Sequence, residues 1–180
     1  LLSLLAEGTF NELKIKGIAD KAKVNRVTFY DHYSSKEELL AELIDDVLNE
    51  YADIIEGMPK TPSVPRPSAE LIKTIKLSVG HIKKHADFYK IMLLTNGVPD
   101  FSNRLHDQMS ESLHKLMRLN VMDHPEIDFD LFVDWIIGGA IGVYKYWLHN
   151  GMRQTEEVIS KQLLMFTLSS SQVLNSRTTL

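Results

Sequence analysis

Leu13-Lys14-Ile15-Lys16-Gly17-Ile18-Ala19-Asp20-Lys21-Ala22-Lys23-Val24-Asn25-Arg26-Val27-Thr28-Phe29-Tyr30-Asp31-His32-Tyr33-Ser34-Ser35-Lys36-Glu37-Glu38-Leu39 is the stretch that decides the fold. Ile15, Ile18, Ala19 and Ala22 recur at three- and four-residue steps, which gives a short helix one apolar face. Val24 follows as an apolar plug in a tight turn. Asn25 then stands where a helix N-cap belongs, because its side-chain oxygen can accept an otherwise unpaired amide of the next first turn. In the helix after it, Val27 or Thr28, Phe29 and Tyr33 are placed to pack inward. Two short helices joined by so short a turn form a helix-turn-helix, whose second helix enters the DNA major groove by its N-terminal end.

The same stretch resembles the signature of the TetR family of bacterial transcription regulators. The Ile18-Ala19 pair, Ala22-x-Val24-Asn25, Arg26-x-Thr28-Phe29-Tyr30, the closing aromatic Tyr33 and Ser35-Lys36-Glu37-x-Leu39 follow one another at the family's spacing, over roughly Leu13 to Leu40. The resemblance implies that Leu1 to Glu7 end the family's first helix and that the helix from Lys36 links a DNA-binding half to a regulatory half. It puts Asn25, Arg26, Val27 and Thr28 at the groove-facing start of the recognition helix. Arg26 would donate to guanine or phosphate, Thr28 to either more weakly, and Val27 would touch a thymine methyl. Tyr30, His32 and Lys36, with the backbone amides near Ser35, would hold phosphates, and Lys14 and Tyr33 complete the expected DNA-binding set.

Departures from the family pattern have physical consequences. Lys14 replaces a capping Thr or Ser, Lys23 replaces a turn glycine, and Gly17 lies inside a helix at a cost of about 1 kcal/mol relative to alanine. Asp31 puts a negative charge on a helix that should approach phosphates. Over residues 1–44 six basic side chains (Lys14, Lys16, Lys21, Lys23, Arg26, Lys36) face seven acidic ones (Glu7, Glu12, Asp20, Asp31, Glu37, Glu38, Glu42). The module has no basic surplus, which leaves open a protein-interaction module that has lost strong DNA binding.

Beyond this stretch the chain reads as all-α, and the resemblance implies an N-terminal three-helix DNA-binding module followed by a C-terminal helical bundle for regulation and dimerisation. The expected division is residues 1–50 and 51–180, with a proline-rich linker near 57–67 that holds Pro59, Pro62, Pro65 and Pro67, four of the chain's six prolines. Lys36 to Glu56 carries Leu39, Leu40, Leu43, Ile44, Val47, Leu48, Tyr51, Ile54 and Ile55 on one face, capped by Ser35 with Glu38 three residues on. Ser68 is the expected cap of a helix striped by Leu71, Ile72, Ile75, Val79 and Ile82. A segment from Phe88 to Leu94 ends at Asn96-Gly97, and Phe101, Leu105, Met109, Leu113, Leu116 and Met117 mark another helix. Two last helices are expected from about Asp128 to His149 and from about Thr155 to Val173, separated by Asn150-Gly151.

Composition bounds the function. Of 180 residues 44% are apolar and 24% charged, a mixture able to bury a core, and the net charge of −4 argues against indiscriminate coating of nucleic acid. Without cysteine there is no disulfide framework or thiol chemistry, which fits a reducing cytoplasm. No apolar run approaches the roughly 18 residues of a membrane span, Trp135 to Val143 being the longest candidate, and nothing resembles a signal peptide. The opening Leu1-Leu2-Ser3-Leu4-Leu5, without methionine, suggests that a helix begins before Leu1.

The C-terminal half is similar, more loosely, to one subtype of TetR regulatory domain, through His81-Ile82-x-x-His85-x-x-Phe88-Tyr89-Lys90, Phe132 to Gly142 and Trp147-Leu148-x-x-Gly151. The resemblance implies a homodimer made by the last two helices, with Gly138, Gly142, Leu163 and Phe166 at the interface. Gly138, Gly139 and Gly142 would let a neighbouring helix approach, from a second subunit or from the same one. It also implies a small-molecule or protein effector, for which His81, Phe88, Tyr89, Met92, Phe101, Met109, Trp135 and Tyr144 are the candidate pocket residues; plain core is the alternative, since such stripes fill bundles. Two DNA half-sites about 34 Å apart in a palindromic operator require two recognition helices.

No cofactor or metal is expected. His81 and His85 lie one helical turn apart, a spacing that can chelate, but no third ligand is near them in sequence. Gly138-Gly139-Ala140-Ile141-Gly142 lies within an apolar helix rather than after a strand, so it is no nucleotide loop, and no catalytic motif is present.

Overall fold

The computed structural model describes residues 1–57, 69–94, 101–117 and 128–175. The proline cluster, Ser68 and the Asn96-Gly97 stop lie outside the described residues. Among those described there is no strand. The helices are α1 (Leu2–Leu5), α2 (Ile15–Ala22), α3 (Arg26–His32), α4 (Lys36–Glu56), α5 (Ala69–Lys84), α6 (Ala86–Leu94), α7 (Phe101–Met117), α8 (Phe129–His149) and α9 (Glu156–Asn175). A 3-10 turn, Phe10–Glu12, precedes α2. Sequence periodicity missed this turn because three residues carry no period.

Local chemistry sets the helix ends. Asn25 caps α3 by accepting from the Thr28 amide at 2.7 Å, and Ser35 caps α4 by accepting from the Glu38 amide at 3.2 Å. Glu38 does not close the expected box on Ser35. Its carboxylate reaches one residue further, to the amide and hydroxyl of Ser34 at 2.7 and 2.6 Å. Asp128 caps α8 through the Asp130 and Leu131 amides. The α2 and α8 C-termini share one motif. Val24 N–H donates to Ala19 O and Lys23 N–H to Asp20 O, as Met152 N–H does to Trp147 O and Gly151 N–H to Leu148 O. The left-handed residue is Lys23 (φ 59°) in the first; in the second it is Gly151 (φ 69°), followed by Met152 (φ 53°).

One hydrophobic core runs from Leu5 and Phe10 through Leu40, Ile44, Leu48 and Tyr51 of α4 to Trp147 and Leu163. α4 is continuous across the expected boundary at residue 50 and packs against both α5 and α7. Its Tyr51 hydroxyl lies 3.2 Å from that of Tyr144 on α8, and both rings are buried. α2 and α3 pack on each other through Ile18, Ala19 and Phe29, outside that core cluster. α1 packs against α6, and the Lys36 ammonium ties the 3-10 turn to the start of α4, next to α3.

Candidate nucleic-acid interface

The cap at Asn25 fixes which side chains α3 can offer. The Asn25 oxygen is engaged by the Thr28 amide and, at 3.1 Å, by the Thr28 hydroxyl, so these two expected contact residues hold each other. Phe29 is buried and stacks edge-on against Tyr30 at 5.6 Å. Arg26 is exposed, Val27 is 67% exposed and Tyr30 49% exposed. A valine left that far in water at the head of a helix gains nothing in the monomer, and contact with an apolar group such as a thymine methyl would bury it. His32 is exposed beside Tyr33, with ring centroids 6.4 Å apart. Tyr33 is half-buried; burial and then nearby Glu42 push its hydroxyl pKa up. Lys14 is exposed at the α2 N-cap position, where an ammonium offers no acceptor to the amides.

Lys36 is placed differently from the expectation. Its ammonium donates to the carbonyls of Phe10, Asn11 and Leu13 at 2.8, 3.1 and 2.9 Å and lies 4.8 Å from the centre of the Phe10 ring. An ammonium has three protons, and all three are aimed at protein carbonyls. The side chain therefore ties the start of α4 to the 3-10 turn instead of facing phosphate. The carbonyls of a non-repetitive turn give no sequence signal, so this role could not be read in advance.

The C-terminal half distributes the expected pocket residues unevenly. Phe88, Tyr89, Met92, Phe101, Met109 and Tyr144 are all buried in the common core, Phe88 and Tyr89 each stacking edge-on against Phe101. Trp135 is 58% exposed on the outer side of α8. Only His81 borders the large open cleft, of about 760 Å³, whose lining includes Glu50, Ile54, Ile72, Lys76, Leu77 and Glu156. Ile54 and Ile72 come from the edges of the apolar stripes of α4 and α5 and are half-buried, whereas Lys76 and Leu77 are exposed.

His81 is buried beneath this cleft. Its Nε2 lies 3.1 Å from the Tyr89 hydroxyl, and its Nδ1 faces a Glu50 carboxylate oxygen at 3.8 Å. Burial, with His85 beside it, pulls the His81 pKa down to about 4, so the ring is neutral at pH 7. Glu50 also accepts from Lys84 at 2.8 Å and meets His85 Nε2 at 3.0 Å; these hydrogen bonds hold its carboxyl down to about 2. Burial likewise raises the pKa of Tyr89.

α8 has two apolar sides. Val133, Ile137, Ile141, Tyr144 and Leu148 face the core. Leu131, Trp135 and Tyr146, each at least 58% exposed, share the other side with exposed Gly138, Gly139 and Gly142. A Cβ added at any of these glycines would meet nothing within 4 Å. On α9, Val158, Met165 and Phe166 are exposed, Phe166 at 52%, whereas Leu163 is buried within the subunit. Of the four expected interface residues, Gly138, Gly142 and Phe166 are thus at the surface and Leu163 belongs to the core.

Comparison with known proteins agrees with this architecture. Residues 2–43 match the family described as bacterial regulatory proteins, tetR family, and residues 70–169 match its transcriptional regulator C-terminal region. An uncharacterized HTH-type transcriptional regulator, YxbF of Bacillus subtilis (strain 168), is 27% identical over 169 residues, 92% of this chain. The match covers 42% of that relative's own length. The dihydroxyacetone kinase operon activator DhaS has a similar fold, with a TM-score of 0.64 over 96% of this chain and 92% of its own, at 16% identity. The two family matches lie on either side of the proline cluster, the first over the helix-turn-helix and the second over the bundle, and the chain belongs to the TetR family of transcription regulators, not to a family of enzymes.

Proposed function

We propose that this chain is a sequence-specific DNA-binding regulator that acts in the cytoplasm as a homodimer, and that it represses transcription until an effector binds its C-terminal half. The observation that carries this reading is the solvent-facing trio Arg26, Val27 and Tyr30 on a helix whose other face is locked by the Asn25 cap and Phe29. A hydrogen-bonding cation, an apolar contact and a phenol on one helix start suit base edges and phosphate in a major groove. The exposed apolar side of α8, with Phe166 and its neighbours on α9, supports pairing with a second copy across those helices. An effector would act by favouring one separation of the paired recognition helices over another, a shift of population between two states. No described helix is long and apolar enough to cross a membrane.

The test is selection of genomic DNA fragments at two salt concentrations. Recovery of one palindromic sequence, with binding weakened by salt and lost on Arg26→Ala or Tyr30→Ala, is the expected result. Recovery of no sequence would sink operator binding. It would favour the second reading, a TetR-like protein-interaction module, which is motivated by exposed Asp31 and by the engagement of the Lys36 ammonium with protein carbonyls.

A further inference from the structure

Folding brings together three metal-ligating side chains that the sequence separates. His81 and His85 lie one turn apart on α5, and α4 places Glu50 against both rings. One potential ligand atom from each residue falls within 4.8 Å of the other two. A tetrahedral ion with bonds of about 2.0–2.2 Å holds its ligand atoms roughly 3.4 Å apart. The Glu50 oxygen is 3.0 Å from His85 Nε2 and 3.8 Å from His81 Nδ1, which bracket that separation. We propose that Glu50, His81 and His85 form a binding site for one divalent transition-metal ion of the Zn2+ or Co2+ type.

Three features beyond proximity favour it. The nitrogen of His81 that faces away from Glu50 is paired with the Tyr89 hydroxyl at 3.1 Å, the kind of outer contact that orients a ligating imidazole. The His81 ring is further held by the Tyr51 ring, edge-on at 5.4 Å. Glu50 and His81 border the open cleft, which leaves a fourth position for water or an exchangeable ligand. Two imidazoles and one carboxylate suit zinc-like ions and disfavour Mg2+ and Ca2+, which take oxygen ligands. The competitor within the site is Lys84, 2.8 Å from the same Glu50 oxygen; its side chain is 64% exposed and free to swing into water. A bound ion would fasten α5 to α4, the helix that begins next to the recognition helix.

The site is read without DNA, so its test is independent of the proposed function. The whole chain, freed of metal by chelator, is titrated with Co2+ and followed by visible absorption, then back-titrated with Zn2+. The expected result is one Co2+ per chain with the spectrum of a low-coordinate imidazole site, displaced by Zn2+. Glu50→Gln and His85→Ala abolish the spectrum, whereas His149→Ala, at an exposed histidine elsewhere, leaves it intact. Tyr89→Phe weakens binding by about tenfold, and Lys84→Ala strengthens it by removing the competing cation. As a second readout, Zn2+ raises the melting temperature of the parent chain but not of the Glu50→Gln/His85→Ala chain. Absence of stoichiometric binding, or binding that survives in that double variant, overturns the site.

Discussion

The helix-turn-helix and the helical bundle use their aromatic and apolar side chains in opposite ways. In α3 one aromatic, Phe29, goes inward and the next, Tyr30, stays half in water, so the short helix presents its chemistry outward. In the bundle Phe88, Tyr89, Phe101 and Tyr144 go inward and interlock, and the open cleft is lined instead by glutamates, lysines and aliphatic surface residues. A seven-residue helix has little inside to fill, so most of its side chains remain available for a partner. A bundle of long helices must fill volume, so most of its large side chains are consumed by packing, with Trp135, Tyr146 and Phe166 left at the surface.

That contrast can be broken most strongly at α8. If its exposed side meets a second copy, Gly142→Glu buries a charge in that interface, and sedimentation is expected to return the mass of one chain instead of two. The subunit's own fold is expected to persist, because the new Cβ meets nothing. An unchanged mass would remove α8 from the dimer.

The next effect is on DNA. Arg26→Ala is expected to weaken operator binding by about 10- to 100-fold, the worth of one good base-directed arginine. Its melting temperature should stay within a degree or two of the parent, since surface changes of this kind cost little. Lys36→Ala inverts that pattern. It is expected to destabilise the fold by about 1–3 kcal/mol in a denaturant titration, because it strips three carbonyls of a charged donor. A Lys36→Ala chain that keeps its stability but loses DNA affinity would restore the lysine to the phosphate-binding set.

A smaller effect belongs to the buried hydroxyl pair between α4 and α8. Tyr51→Phe leaves the Tyr144 hydroxyl without its 3.2 Å partner and is expected to cost about 1–2 kcal/mol. The double change to Phe at both positions should cost less than the sum of the single ones, read as a thermodynamic cycle. The smallest effect is at the turn. Lys23 adopts the left-handed conformation that Gly151 adopts in the matching turn after α8. Lys23→Gly is expected to raise stability by up to about 1 kcal/mol, and a loss instead would show that the lysine side chain contributes more than its backbone strain costs.

Much of this molecule was legible in advance where a signal is local. Asn25 and Ser35 cap because their oxygens reach amides three residues ahead, and Lys36 to Glu56 forms one helix because its apolar residues recur every three or four positions. The helix-turn-helix and the all-α class follow from such short-range rules, and the family from the resemblance of Leu13 to Leu40 to its signature. At the start of α4 Glu38 reaches Ser34, one residue before the cap that spacing indicates, a choice made by side-chain geometry that spacing does not encode.

What only the tertiary structure decided is the set of pairings between residues far apart in the chain. Lys36 meets the carbonyls of residues 10, 11 and 13; Tyr51 meets Tyr144; Glu50 meets His81 and His85. Periodicity tells which face of a helix is apolar but not which neighbour that face will find. It could not separate the two apolar sides of α8, one spent on the subunit's own core and the other left at the surface. Hydrophobic burial is non-directional, so the sequence determined that these side chains pack, and the packing of whole helices determined against what.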